Sequence, residues 1–355
     1  MATDYKKEFE GLIEKMMKES ASDLHLSEGR YPTIRIAGFL IPLMDRKVLT
    51  VDDTDGFSNV ILGADDRALF QKTKEIDFSY DYKGQARFRG NGFFQRGVVS
   101  FALRLIPKKI MSFEELNLPP ILETFCQKQQ GFFLVVGPVG HGKTTTLASM
   151  VERINETRAE HIITIEDPIE YIYEQKKSVI DQREVRIDTL DFSAALRSIF
   201  RQDVDVIMVG EMRGNETMAT AVTAAETGHL VISTLHTNNA AQTINRIIDS
   251  FPAAQQDQIR IQLAATLTGI FSQRLIPRIS GGLIPAYELL IANAAVSNLI
   301  REKRVHEINT VIETGLEQGM IDMNRSLSEL VRRGEITAEN AYLYSPNPKV
   351  LERLM

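Results

Sequence analysis

Only one cysteine, Cys126, occurs in the 355 residues, so neither an intramolecular disulfide nor a cysteine zinc cluster can form. It lies in Ile121-Leu-Glu-Thr-Phe-Cys126 at helical spacing, which reads as a buried structural thiol rather than a reactive one. Long apolar runs are missing as well. None approaches the roughly 18 residues that a membrane span needs. The charged start Met1-Ala-Thr-Asp-Tyr-Lys-Lys-Glu has no apolar core of the signal-peptide type. The expectation is a cytoplasmic protein with no direct insertion in a membrane. Nor is there an excess of basic charge: 41 Lys and Arg against 47 Asp and Glu give a formal net charge of −6. That excludes an overall pull toward nucleic acid or anionic lipid. Repeats and low-complexity tracts are absent too. What remains, 43% hydrophobic and 25% charged residues, is ordinary for a globular chain long enough for two domains.

Residues 5–18 place Phe9, Leu12, Ile13, Met16 and Met17 at helical spacing and predict an amphipathic helix. Short runs follow, at Thr33–Ile36, Phe78–Tyr82, Ala86–Arg89 and Val98–Leu105, some separated by glycines. They predict a small, largely antiparallel sheet with helices alongside. Pro107 and the Pro119-Pro120 pair bracket a linker. The expected division is a first domain over 1–110, a linker over 111–122 and a second domain over 123–355. From residue 131 the runs Phe132–Val136, Ile162–Ile165, Val206–Val209 and Leu230–Ser233 are continuously apolar, with amphipathic helical segments between them. Continuous strands interleaved with helices predict an α/β domain whose parallel sheet is covered on both faces. From about residue 254 the signal reads as mainly helical, including a helix near 255–275.

Gly137-Pro138-Val139-Gly140-His141-Gly142-Lys143-Thr144, followed by Thr145, fits the G-x-x-x-x-G-K-[ST] phosphate-binding pattern. It follows the strand 132–136 and opens a helix carrying Leu147, Met150, Val151 and Ile154. That order is what the chemistry needs. Glycines let backbone N–H groups wrap phosphates, and a helix N-terminus adds partial positive charge. Lys143 is expected to reach the β- and γ-phosphates of ATP, and Thr144 to ligate Mg²⁺.

Three further constellations are expected at the C-terminal ends of the later strands, where a parallel sheet places its ligands. Ile163-Thr-Ile-Glu166-Asp167-Pro-Ile-Glu170 ends one strand with three carboxylates, and Val204-Asp-Val-Ile-Met-Val-Gly210-Glu211 ends another with Glu211. Thr227-Gly-His229, a strand, then Thr234-Leu-His236-Thr237 puts a histidine at each end of a third. Singly, such residues are more often solvated or structural. Beside a phosphate loop they match the needs of phosphoryl transfer: a Mg²⁺-linked acid, a group that orients water and a sensor of the γ-phosphate.

The chain resembles the type IV pilus retraction ATPases, the PilT-like branch of the secretion-superfamily ATPases. Ile163–Tyr171 is similar to that family's Asp box, Val206–Arg213 to its atypical Walker B and Ala224–Thr237 to its His box. Ala21-Ser-Asp-Leu-His-Leu-Ser27 is similar to its opening motif. Ala295-Val-Ser-Asn-Leu-Ile-Arg-Glu302 resembles the retraction branch's Ala-Ile-Arg-Asn-Leu-Ile-Arg-Glu, with Ser297 in place of Arg. In the phosphate loop, Val139 and His141 stand where the family usually has Thr and Ser. The resemblance implies a PAS-like α+β domain followed by a RecA-like P-loop ATPase domain with a helical C-terminal region. It also implies a homohexamer whose active sites lie between domains, with neighbouring subunits contributing. Carried over, Glu166 positions or deprotonates water, Glu211 holds the Mg²⁺ shell, and His229 and His236 communicate the γ-phosphate state; Asp167 and Glu170 support them. The implied partners are the pilus machinery and an inner-membrane platform protein (PilC-like), placing the subunit at the inner face of the cytoplasmic membrane. Type II secretion and pilus-assembly relatives commonly carry a long N-terminal extension and a four-cysteine zinc insert; neither is seen here.

A basic stretch stays open to three readings. Between Tyr82 and Phe113 stand Lys83, Arg87, Arg89, Arg96, Arg104, Lys108 and Lys109, with no acid. It is a charge-guarded strand edge, a nucleic-acid patch poorly served by its aromatics, or a source of arginine fingers. The resemblance favours the last, with Arg87, Arg89 and Arg104 as an unranked shortlist. Three other functions compete with retraction: an accessory or assembly ATPase, a ring-shaped nucleic-acid motor, and a nucleotide-gated binding module with little turnover.

Overall fold

The computed structural model describes residues 4–36, 38–106, 109–212 and 214–355. Pro107, Lys108 and Arg213 lie outside them. The chain folds into two compact units, Met1–Lys109 with Glu170–Ile172, and Ile110–Ile169 with Tyr173–Met355.

In the first unit α1 (Tyr5–Lys18) covers the residues predicted, with Asp4 accepting from the Lys7 N–H as its N-cap. Then come β1 (Asp23–Leu26), β2 (Thr33–Ile36), β3 (Phe39–Pro42), α2 (Val51–Ile61) and α3 (Ala64–Thr73), followed by β4 (Glu75–Tyr82), β5 (Ala86–Gln95) and β6 (Val98–Ile106). The six strands form one sheet in the order β3-β2-β1-β6-β5-β4, with antiparallel pairing throughout. Phe9, Leu12, Ile13 and Met16 of α1, Phe57 of α2 and Phe70 of α3 share a buried cluster with Phe88, Phe101 and Leu103 of the sheet. The strands β1 and β3, four residues each, are not among the runs expected from the sequence.

The second unit opens with α4 (Leu122–Cys126), where Cys126 is buried and its thiol is pushed up to about 12 by burial. The elements then run β7 (Gly131–Val136), α5 (Lys143–Thr157), β8 (His161–Glu166), β9 (Val179–Glu184), α6 (Phe192–Ile199), β10 (Val206–Val209), α7 (Asn215–Glu226), β11 (Leu230–Leu235), α8 (Ala240–Asp249) and α9 (Ala253–Thr266). After α9 the structure departs from the sequence reading. Residues 267–291, expected within a helical region, form two long strands, β12 (Leu267–Pro277) and β13 (Leu283–Ile291). Both are rich in bulky apolar residues and interrupted by Gly269, Pro277 and Pro285, which suit buried strands better than a helix. Five helices close the chain: α10 (Ala294–Arg301), α11 (Ile308–Thr314), α12 (Met323–Arg332), α13 (Ala338–Tyr344) and α14 (Pro348–Leu354).

The seven strands lie in the order β13-β12-β7-β11-β10-β8-β9, parallel except for the β12–β13 hairpin. Every residue of β7, β10 and β11 is buried, as a sheet covered on both faces requires. Between Leu267 and Gly269 the register of β12 against β7 shifts by one residue, a bulge that leaves Thr268 to donate its hydroxyl to the Phe132 carbonyl at 3.1 Å. Among the described residues no helix is long and apolar enough to cross a membrane.

One buried acid has a consequence for stability. Glu288 of β13 is pushed up to about 7, chiefly by burial, against N–H and hydroxyl bonds from Ala240 and Ser272 and the charge of Arg274. Its folded pKa exceeds the ordinary 4.5, so the folded chain retains a proton that the unfolded chain releases first. Relative stability is therefore full below the ordinary value and lost as pH rises through about 7. Melting temperatures of the wild type and Glu288→Gln, compared across this range, should diverge: the wild type declines relative to the variant up to about pH 7, and the gap then levels off.

Candidate active site

The phosphate loop is the turn from β7 into α5. Gly137 has φ +149°, and a Cβ there would stand 2.3 Å from the Gln273 carbonyl oxygen, so β12 passes too close for any side chain. Gly140 and Gly142 take φ of +79° and +77°, which turn successive N–H groups toward one centre. The helix α5 has no side-chain cap and no acid in its first turn. Its leading N–H groups suit an anion. The cradle therefore fits a nucleotide phosphate.

The loop is fastened to β12 from two sides. Thr146 donates its hydroxyl to Gln273 Oε1 at 2.7 Å, and Gln273 Nε2 donates to the His141 carbonyl at 2.8 Å. The His141 ring adds a third tie, accepting the Leu275 N–H at Nδ1 over 2.9 Å. That bond requires an unprotonated Nδ1, and burial, Arg274 and Lys143 all hold the imidazole below its ordinary value. The departure from serine at this position thus substitutes a ring bond to β12. Val139 at the loop's tip is 80% exposed.

Lys143 is 7% exposed. Its Nζ donates to the carbonyls of Gly137 and Pro138, each at 2.9 Å, and lies 3.2 Å from His236 Nδ1. Burial lowers its pKa, while the nearby Glu211 charge opposes that shift. Because an ammonium only donates, Nδ1 of His236 must accept. The proton then sits on Nε2, which points at Glu211 Oε2 over 3.4 Å. Lysine, histidine and carboxylate form a polar relay across the C-terminal ends of β7, β11 and β10.

Glu166 ends β8 and is 4% exposed. Its Oε1 accepts from Thr164 Oγ1 at 2.7 Å and from Gln182 Nε2 at 3.2 Å. Asp167 lies 4.0 Å from the Arg186 guanidinium. Thr144 and Thr145, in the first turn of α5, are half-buried.

The expectation that both histidines stand beside the phosphate loop holds for His236 and not for His229. The six-residue strand β11 separates them, a span of about 20 Å. His229 Nδ1 instead meets the Ala224 carbonyl at 2.9 Å, and its ring stands edge-on to Phe200 at 5.8 Å. A parallel sheet offers ligands at the carboxyl ends of its strands, which leaves His229 at the other edge.

The shortlisted arginines belong to the first unit. Arg87 and Arg89 lie on β5, and Arg104 on β6 opposite Arg89. Arg87 donates to Ser79 Oγ at 3.2 Å, and Arg104 Nε donates to Asp23 Oδ1 at 2.9 Å. Burial raises the Asp23 pKa, but bonds from Ser22 and Arg104 outweigh it and hold the carboxyl below its usual range. Glu170 groups with this unit, where Arg89 Nη1 donates to it at 3.1 Å. Asp23, part of the opening motif, was a matched letter without a role in the sequence.

A covered parallel sheet with a phosphate loop at its carboxyl edge and acids on the adjoining strands defines a RecA-like P-loop nucleotide-hydrolase domain. The family described as type II/IV secretion system protein matches residues 97–337. The type IV pilus retraction ATPase PilT of Pseudomonas aeruginosa is 44% identical over 91% of this chain and 94% of its own length. The type IV pilus ATPase PilU of the same organism is 38% identical over 98% of this chain and 91% of its own. The crystal structure of the pilus retraction motor PilT with bound ADP superposes with a TM-score of 0.91 at 46% identity, covering 99% of this chain and all of that one. The chain belongs to the type II/IV secretion system protein family, in its PilT-like branch.

No local signal in the sequence marks Gln273, which stands between Ser272 and Arg274. Replacing it with leucine should strand the Thr146 hydroxyl and free the loop. Titration with a fluorescent nucleotide is expected to show about tenfold weaker binding, with Lys143→Ala as the fully impaired reference.

Proposed function

We propose that the chain is a subunit of a homohexameric motor that hydrolyses ATP to power type IV pilus retraction. The observation that supports this most is the relay from Lys143 through His236 to Glu211, with Glu166 at the end of β8 on the same carboxyl edge of the sheet. In this reading Gly137 to Thr145 enclose the phosphates, and Lys143 shifts its bonds from the loop carbonyls to the β- and γ-phosphates. Thr144 and Glu211 would hold Mg²⁺, Glu211 through water. Their hard oxygens suit that ion, and among the described residues no cluster of three or more His, Cys, Asp or Glu offers a full cage. When bound, Mg²⁺ neutralises charge on the β- and γ-oxygens.

Glu166 takes the proton of the attacking water, or orients it, from a position that Thr164 and Gln182 fix. His236 reports the γ-phosphate, since a phosphate that draws Lys143 away removes the donor at Nδ1. His229, at the far end of the same strand, carries that state to α7. Arg87, Arg89 and Arg104 supply charge to the nucleotide of another subunit. Work on the filament passes through an inner-membrane platform protein, with the ATPase peripheral at the cytoplasmic face.

Glu166→Gln should retain nucleotide binding and lose at least about 100-fold in steady-state hydrolysis. Unchanged turnover in both Glu166→Gln and Glu211→Gln would show that the catalytic assignment is wrong. Stimulation by single-stranded DNA, falling steeply with salt, would instead favour a nucleic-acid motor.

The likeness to PilU over 98% of the chain favours one second reading, an accessory ATPase beside another retraction motor. Deletion in the host separates the cases. Hyperpiliation without twitching is expected for the retraction motor. Twitching at the wild-type rate supports the accessory role, and loss of pili supports assembly.

A further inference from the structure

His236–Asn239 connect β11 to α8, and several bonds fix this short loop. The Asn239 side chain accepts the Gln242 N–H at 2.8 Å, and Gln242 Oε1 accepts the Asn238 N–H at 2.8 Å. The hydroxyls of Thr237 and Thr243 meet at 2.7 Å. All of these stay within the loop and its own helix. A fourth reaches the sheet: the Ala240 N–H donates to Glu288 Oε1 at 2.8 Å. The same oxygen lies 3.4 Å from the Ser272 hydroxyl of β12. Ser272 directly precedes Gln273, which holds the phosphate loop. One buried oxygen therefore touches the helix behind His236 and the strand behind Lys143.

A carboxyl in this place is costly. Glu288 is 8% exposed, and Asp322 adds like charge that Arg274 only partly offsets. An apolar residue would pack here without that cost, but would leave the Ala240 N–H without its acceptor.

We propose that Glu288 is a positioning residue for hydrolysis: it anchors the first N–H of α8 to the β12–β13 hairpin and so holds His236 where its ring spans Lys143 and Glu211. This rests on the reading of His236 as the reporter of the γ-phosphate. A loop released by a fraction of an ångström would still bind nucleotide through the phosphate loop. It would no longer couple the ring to both partners in the transition state.

Steady-state kinetics on the full chain, with ATP and Mg²⁺, test this through Glu288→Met, Glu288→Gln, His236→Ala and the double variant His236→Ala with Glu288→Met. Glu288→Met should lower kcat on the order of 10- to 100-fold with KM within about threefold, the pattern of lost positioning rather than lost binding. Glu288→Gln keeps an acceptor for Ala240 and should restore kcat to within about threefold of wild type. The double variant should be no slower than His236→Ala by more than about twofold, because both changes act through one ring. Wild-type kcat in Glu288→Met, or losses that multiply in the double variant, would overturn the proposal. If the methionine variant has no melting transition, Glu288→Asp carries the test, its shorter reach lowering kcat at unchanged KM; unchanged kcat is then the overturning result. An unaltered kcat in His236→Ala would sink the reporter reading and this proposal together, whereas a slow His236→Ala beside a wild-type Glu288→Met sinks this proposal alone.

Discussion

A buried ammonium must be surrounded by acceptors, and much of the second unit is arranged to provide them for Lys143. Two carbonyls of its own loop and one imidazole nitrogen are within 3.2 Å, and that imidazole in turn meets the Glu211 carboxylate. The positive charge is thus solvated by fixed acceptors, and the nearby Glu211 charge supports it. An anion that enters the loop meets a cation already stripped of water, close to N–H groups that the glycines have turned inward. The same constraint orders the neighbours. Since the ammonium only donates, the tautomer of His236 is fixed, and the tautomer fixes which nitrogen meets Glu211.

The parts of the fold that were legible in the sequence are those with a local cause. Four buried strands announced themselves as continuous apolar runs, α1 by its helical spacing and the phosphate loop by its glycines. The hairpin β12–β13 was not legible. Its runs Leu267–Phe271 and Leu289–Ile291 are short, and a strand buried on both faces has no alternation to betray it.

The site divides in the same way. Glu166, Glu211 and His236 follow strands in the sequence and therefore share an edge in space. His229 precedes its strand, and the direction of a parallel sheet sends it to the other edge. Gln273 and Glu288 carry no local signal because their partners are distant in sequence: Gln273 meets Thr146 across 127 positions, and Glu288 meets Ala240 across 48. No spacing rule connects such pairs. They are polar residues within strands, and only the fold shows which ones have found each other.

The bulge at Leu267–Gly269 is one extra residue in a strand of eleven. Successive side chains on a strand point to opposite faces, so that extra residue sets the parity of everything after it. Beyond it, Gln273 faces the phosphate loop. A chain shorter by one residue at this point would keep nearly the same composition, yet would turn Gln273 and the later side chains of β12 to the opposite face. The grip on the phosphate loop is therefore a matter of counting as much as of chemistry.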